Sequence, residues 1–192
     1  MIKWIVCLVM ILLLACKAKT KHDDKKGSYF PVVSYLRGQA ADIDTSLYRI
    51  IKIETFDSTT DTSYIKREEF RNYAKDFLDL PDISSKKWKD DYEESQIYDE
   101  DLKSIILSYT TNDSTKEVQK EDVMVEPQPD EHGNSQVRTI IIDKWSTTDD
   151  STVHENMVWQ TNKRFLIVKK IQKNNQPEKI KKLEVIWNDF PK

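Results

Sequence analysis

Cysteine is nearly missing from this chain. Of 192 residues, two are cysteines, Cys7 and Cys16. Residues 17–192 therefore hold no internal disulfide, thiolate metal site or cysteine nucleophile, and their stability must come from a packed core. Glycine is almost as scarce, with Gly27, Gly38 and Gly133 far apart. A P-loop, a dinucleotide fingerprint and a nucleophile elbow each need closely spaced glycines, so all three are excluded. The three histidines are His22, His132 and His154, and only His154 falls in a segment with regular periodicity. The run His154-Glu155-Asn156-Met157-Val158 opens like a zinc-protease helix, but Val158 stands where the second histidine belongs. Asp42-Ile43-Asp44-Thr45-Ser46 opens like a calcium loop, but Leu47 occupies the glycine position and Ile53 the position of the bidentate glutamate. A basic excess is lacking too. Thirty Lys and Arg face 33 Asp and Glu, for a formal net charge of −3, and no nucleic-acid partner is expected. No catalytic residue, metal ligand or cofactor-binding residue is assigned, and no cofactor is expected.

What is present starts at the first residues. Lys3 precedes an unbroken apolar run from Trp4 to Ala15. At 12 residues the run is too short to span a membrane, which takes about 20, and fits a signal-peptide core of roughly 7–15. It closes on Leu13-Leu14-Ala15-Cys16, which resembles the lipobox of bacterial lipoproteins. The resemblance implies cleavage before Cys16, lipidation of Cys16 and attachment to a membrane through that lipid. Several acyl chains make a firm anchor, since each buried CH₂ contributes about 0.8 kcal/mol and one chain holds marginally. Lys17, rather than aspartate, follows the cysteine, which favours the outer membrane; the side it faces is left open.

Residues 17–28, KAKTKHDDKKGS, have the composition of a flexible tether. The division expected is a signal peptide over 1–15, a lipidated cysteine and tether over 16–28, and a single α+β domain over 29–192. Val32, Val33, Leu36, Ala40 and Ile43 recur at helical spacing behind Pro31. Leu47–Phe56 and Thr62–Ile65 predict a hairpin. Phe70, Tyr73, Ala74, Phe77 and Leu78 predict a second amphipathic helix, closed by Pro81. The period then becomes two, predicting six strands near Leu102–Thr111, Val118–Glu126, Gln136–Trp145, Thr152–Gln160, Arg164–Gln172 and Lys179–Trp187. Short connections make them antiparallel neighbours. The expected architecture is a set of N-terminal helices and a hairpin packed on a C-terminal antiparallel meander of about six strands.

Gln160-Thr161-Asn162-Lys163-Arg164-Phe165, the closing Val185-Ile186-Trp187-Asn188, the opening Tyr29-Phe30-Pro31-Val32 and the Asp122-Val123 strand resemble a family of gram-negative envelope lipoproteins without an assigned activity. The resemblance implies a fold unit and no chemistry.

The last strands can be placed in register. With Thr161-Asn162-Lys163 as a three-residue loop, Trp159 faces Phe165, Met157 faces Ile167, Glu155 faces Lys169 and Val153 faces Ile171. Continuing outward, Trp145 should face Val153, Ile141 face Met157, Phe165 face Trp187 and Ile167 face Val185. One face would then carry a polar band of Asp143, Glu155 and Lys169. The other would align Lys144, His154, Lys170 and Lys182 as a candidate anion-binding row; the plainer alternative is lysines solvated at a sheet edge. Both faces are partly apolar.

The function expected is a membrane-anchored, non-catalytic binding or accessory module with a protein or apolar-ligand partner. The alternatives are a carrier for lipid or another apolar ligand on a half-open sheet, and a hydrolase of envelope polymers. A carrier needs an apolar pocket. A hydrolase needs converging carboxylates or His154 in a cleft.

Overall fold

The computed structural model describes residues 29–189. The expected lipobox with Cys16 and the expected tether lie outside the described residues. Helix α1, Val32–Thr45, starts after Pro31 and buries the five residues of its apolar stripe, Val32, Val33, Leu36, Ala40 and Ile43. Its last turn contains Asp42 and Asp44, which are thus helical and form no calcium loop. The second helical segment is broken into a 3-10 turn, Arg67–Glu69, and two short helices, α2 (Phe70–Tyr73) and α3 (Lys75–Leu78). Ala74 divides them, with ψ near 0°. The break leaves the apolar stripe intact, and Phe70, Ala74 and Phe77 are fully buried.

Nine strands follow the order β2-β1-β9-β8-β7-β6-β5-β4-β3 in one antiparallel sheet. They are β1 (Ile50–Phe56), β2 (Thr59–Ile65), β3 (Glu93–Asp99), β4 (Ser104–Thr110), β5 (Val118–Val125), β6 (Val137–Thr147), β7 (Ser151–Gln160), β8 (Arg164–Lys173) and β9 (Lys179–Ile186). The α+β class stands, with the sheet dominant, and the six expected meander strands are all present. The sheet is nonetheless larger than the sequence suggested. The N-terminal hairpin joins it edge to edge, β1 pairing with β9, instead of packing on a face. A further strand, β3, forms its opposite edge from Glu-Glu-Ser-Gln-Ile-Tyr-Asp.

The register between β7 and β8 is the expected one, including Trp159 opposite Phe165 and Glu155 opposite Lys169. Between β6 and β7 it differs by one residue: Ile142, not Ile141, faces Met157, and Trp145 faces His154. A one-residue slip exchanges the faces of a strand. Ile140 and Ile142 are therefore buried under the helices, Asp143 points outward and Lys144 inward. Between β8 and β9 the difference is two residues, Phe165 facing Val185 and Ile167 facing Leu183, so the faces are kept. Trp187 lies just past β9, its N–H donating to the Lys163 carbonyl at 3.0 Å. It still joins the expected aromatic group, 5.4 Å from Trp159 and 6.3 Å from Phe165 between ring centroids.

That group is the centre of the core. Phe70 presents edge-on contacts to Trp159, Phe165 and Trp187 at 5.4–6.2 Å, and Phe77 does the same to Trp159 and Phe165. Edge-to-face pairs are worth about 0.5–1.5 kcal/mol beyond the area they bury. The helices are thereby fixed over the middle of the sheet, and its β1–β2 end runs out beyond them.

Candidate functional site: a groove at the end of the helical layer

Cross-strand pairing arranges the helix-facing side of the sheet in rows. Ser63, Lys52, Val185, Phe165, Trp159 and Ile140 form one row, each opposite the next. Asp61, Glu54, Leu183, Ile167, Met157 and Ile142 form the second. Thr59, Phe56, Lys181, Lys169, Glu155 and Lys144 form the third. The first two rows change from polar at the hairpin to apolar at the centre, whereas the third is uncharged at the hairpin and charged from Lys181 to Lys144.

An open groove of about 720 Å³ lies over the hairpin side of these rows. Sites for small molecules commonly measure about 300–1,000 Å³. Leu183 and Ile167 supply its apolar floor, with Phe56 beside them. Asn72, Tyr73 and Asp76, from α2 and the start of α3, form the wall. Glu54, Thr59 and Asp61 close the hairpin side, and Lys169 and Lys181 the remaining one, where the outward-facing Lys182 borders it between Lys181 and Leu183.

The charges are unequally satisfied. Lys169 Nζ is 2.7 Å from Asp76 Oδ2 and 3.3 Å from Glu155 Oε2. Burial works against its ammonium, but Asp76 and Glu155 outweigh it and hold the pKa above the usual lysine value. Glu155 is itself buried, with Lys144 Nζ at 3.9 Å on its other oxygen. Lys52 binds Glu54 at 2.7 Å and lies 5.1 Å over the Tyr73 ring. Lys181, exposed and directly opposite Lys169, lies 5.3 Å over Phe56 and has no ion pair among the described residues.

The expected anion-binding row is not assembled. Lys144 is on the helix-facing side, 2.8 Å from Glu117, because of the slip between β6 and β7. His154, Lys170 and Lys182 share the outer face. His154 Nε2 is 2.9 Å from Asp143 Oδ2, and its ring stacks on Trp145 at 4.3 Å. Trp145 Nε1 donates to the other oxygen of Asp143 at 2.7 Å. Lys170 faces His154, while Lys182 faces Val168 and lies 3.5 Å from Glu184. The polar band expected from Asp143, Glu155 and Lys169 is corrected in the same way, Lys144 replacing Asp143.

Of the groups a hydrolase could use, the carboxylates Glu54, Asp61 and Asp76 line the groove, Glu54 paired with Lys52 and Asp76 with Lys169. Glu121 is the carboxyl held protonated to high pH: burial, then repulsion from Asp82, pushes its pKa up to about 8. It is fully buried in the core, so it reaches no substrate. His154 lies on the outer face, and no groove residue is a histidine. Among the described residues no group of three or more His, Cys, Asp or Glu is placed to hold a metal ion, and no helix there is long and apolar enough to cross a membrane.

Comparison with protein-family profiles, with curated proteins and with solved structures finds no match. The likeness to envelope lipoproteins rests on the sequence motifs alone.

Proposed function

We propose that this chain is an envelope lipoprotein, lipidated on Cys16 and held at the outer membrane, whose domain is a non-catalytic binding module for an apolar or amphipathic ligand. The observation that carries the ligand reading is the groove beside α2 and α3, where Leu183 is partly exposed and Phe56 exposed over a floor continued by the buried Ile167. Its mixed lining of aliphatic, aromatic and charged side chains suits a molecule with an apolar body and a polar end. The membrane attachment is supported by Leu13-Leu14-Ala15-Cys16 behind its apolar run.

A neutral alkyl alcohol bearing a photoreactive diazirine tests the binding reading on the full chain in phosphatidylcholine vesicles. Illumination should label peptides containing Tyr73, Ile167 or Leu183, and Leu183→Arg should abolish that label. Labelling spread evenly over the surface, or unchanged by Leu183→Arg, would overturn the reading.

A further inference from the structure

Resting on the reading of the groove as a binding site, we infer that its ligand is a single-chain amphiphile with an anionic head, carboxylate or phosphate, and that Lys181 receives the head. Lys169 and Lys181 are directly opposed on neighbouring strands, a like-charge pairing that is ordinarily destabilising. Lys169 is compensated by Asp76 and Glu155, whereas Lys181, among the described residues, has the face of Phe56 and no ion pair. An anion at the groove mouth gives Lys181 the partner that no described residue supplies, within reach of a chain laid along Leu183 and Phe56.

The lining as a whole carries three carboxylates and three lysines, and the lysines are gathered on the β8–β9 side. Residues 164–186, which include β8, β9 and their turn, contain seven Lys or Arg and two Glu, in a chain whose formal net charge is −3. The groove is thus lined on one side by the basic hairpin of an acidic protein. The carboxylates on the other side, Glu54 and Asp61, face each other on the edge hairpin. Glu54 already holds Lys52, so that side is less available to a cation.

Competition against the neutral photoprobe, on the full chain in phosphatidylcholine vesicles, tests the inference. Laurate should displace the label from the groove more effectively than dodecyltrimethylammonium, which has an equally long chain and the opposite charge. Lys181→Glu should weaken laurate competition about tenfold, the weight of one charge-assisted contact, while the neutral probe still labels. Lys181→Gln should give an intermediate loss. Equal or better competition by the cation, or indifference of laurate to Lys181→Glu, would overturn the inference and leave the groove reading standing. Failure of the neutral probe to label would remove both. Suppression of the label by phosphatidylglycerol in the vesicles, with laurate ineffective, would place the anion in the bilayer surface and overturn the single-chain assignment.

Discussion

Glu155 on β7 and Lys169 on β8 are directly opposed, and their ion pair at 3.3 Å joins the buried charge of one to the wall of the groove through the other. Their burial is unequal. Glu155 has 6% of its surface exposed, and its Oε2 accepts no hydrogen bond of good geometry. Lys169 has a second carboxylate in Asp76.

The two single variants should therefore differ. Lys169→Ala leaves a buried carboxylate with Lys144 as its remaining cation, and should destabilise by roughly 3 kcal/mol. Glu155→Ala leaves Lys169 with Asp76 and Lys144 with Glu117, and should cost less. In a double-mutant cycle by urea unfolding the coupling should be about 1–3 kcal/mol. Additivity within a few tenths would show that the pair is adjacent but not energetically joined.

Glu121 predicts a pH dependence. Its carboxyl titrates near its ordinary 4.5 in the unfolded chain and near 8 in the folded one. Between those values the folded state keeps the proton that the unfolded state has lost. Stability from this group therefore falls as pH rises from 4.5 to 8, by up to about 1.4 kcal/mol per pH unit, and levels off above. Glu121→Gln removes that slope. The difference in unfolding free energy, variant minus wild type, should grow in the variant's favour from pH 5 to pH 8. A difference that is flat across that interval would refute a buried, protonated Glu121.

Why part of this was legible in the sequence, and part not, is visible in the strands. The β7–β8 register could be read because a short loop, with Asn162 in the left-handed conformation at φ 58°, joins two strands whose residues match pairwise. The β6–β7 register could not, because Ile140-Ile141-Ile142 offers an isoleucine to either face and both faces of this sheet are partly apolar. Strand β3 shows no alternation, since six of its seven residues are exposed. The groove needs the pairing of β1 with β9, two strands distant in sequence, and no local pattern announces such a contact. In the sequence Phe56 is a hairpin residue and Tyr73 and Asp76 fall in a helical segment, with nothing to connect them to Lys169.

The one-residue correction is itself testable with adjacent isoleucines. Ile142 is fully buried against Met157, and Ile141 is half-buried on the outer face. Ile142→Ala should destabilise by about 2–5 kcal/mol. Ile141→Ala should cost markedly less, about 1 kcal/mol. Equal costs, or the reverse order, would restore the register in which Ile141 faces inward.

Phe70 offers a measure of how firmly the helical layer is held. It is fully buried and touches the rings of Trp159, Phe165 and Trp187 edge-on. Phe70→Ala should cost about 3–5 kcal/mol and alter the tryptophan emission of the folded protein. A loss below 1 kcal/mol with unchanged emission would mean that the helices are not fastened through this residue.

The proposed anchor at Cys16 allows the address to be tested separately from the binding. Residues 17–192 contain no cysteine, so under the proposed cleavage before Cys16, Cys16→Ala removes the thiol to which a diacylglycerol would be attached. The short apolar run before it is insufficient to span a bilayer. In bacterial fractionation the unaltered chain should sediment with outer membranes and partition into detergent. It should also incorporate labelled palmitate. Cys16→Ala should incorporate none and should no longer be retained as a lipidated outer-membrane protein. Its groove, formed from residues beyond the tether, should keep the photoprobe label and the preference for laurate. Acylation of the Cys16→Ala chain, or its unchanged retention in the outer membrane, would refute the lipobox reading. Loss of groove labelling together with loss of the anchor would show that binding depends on the lipid, contrary to a domain that supplies its own site.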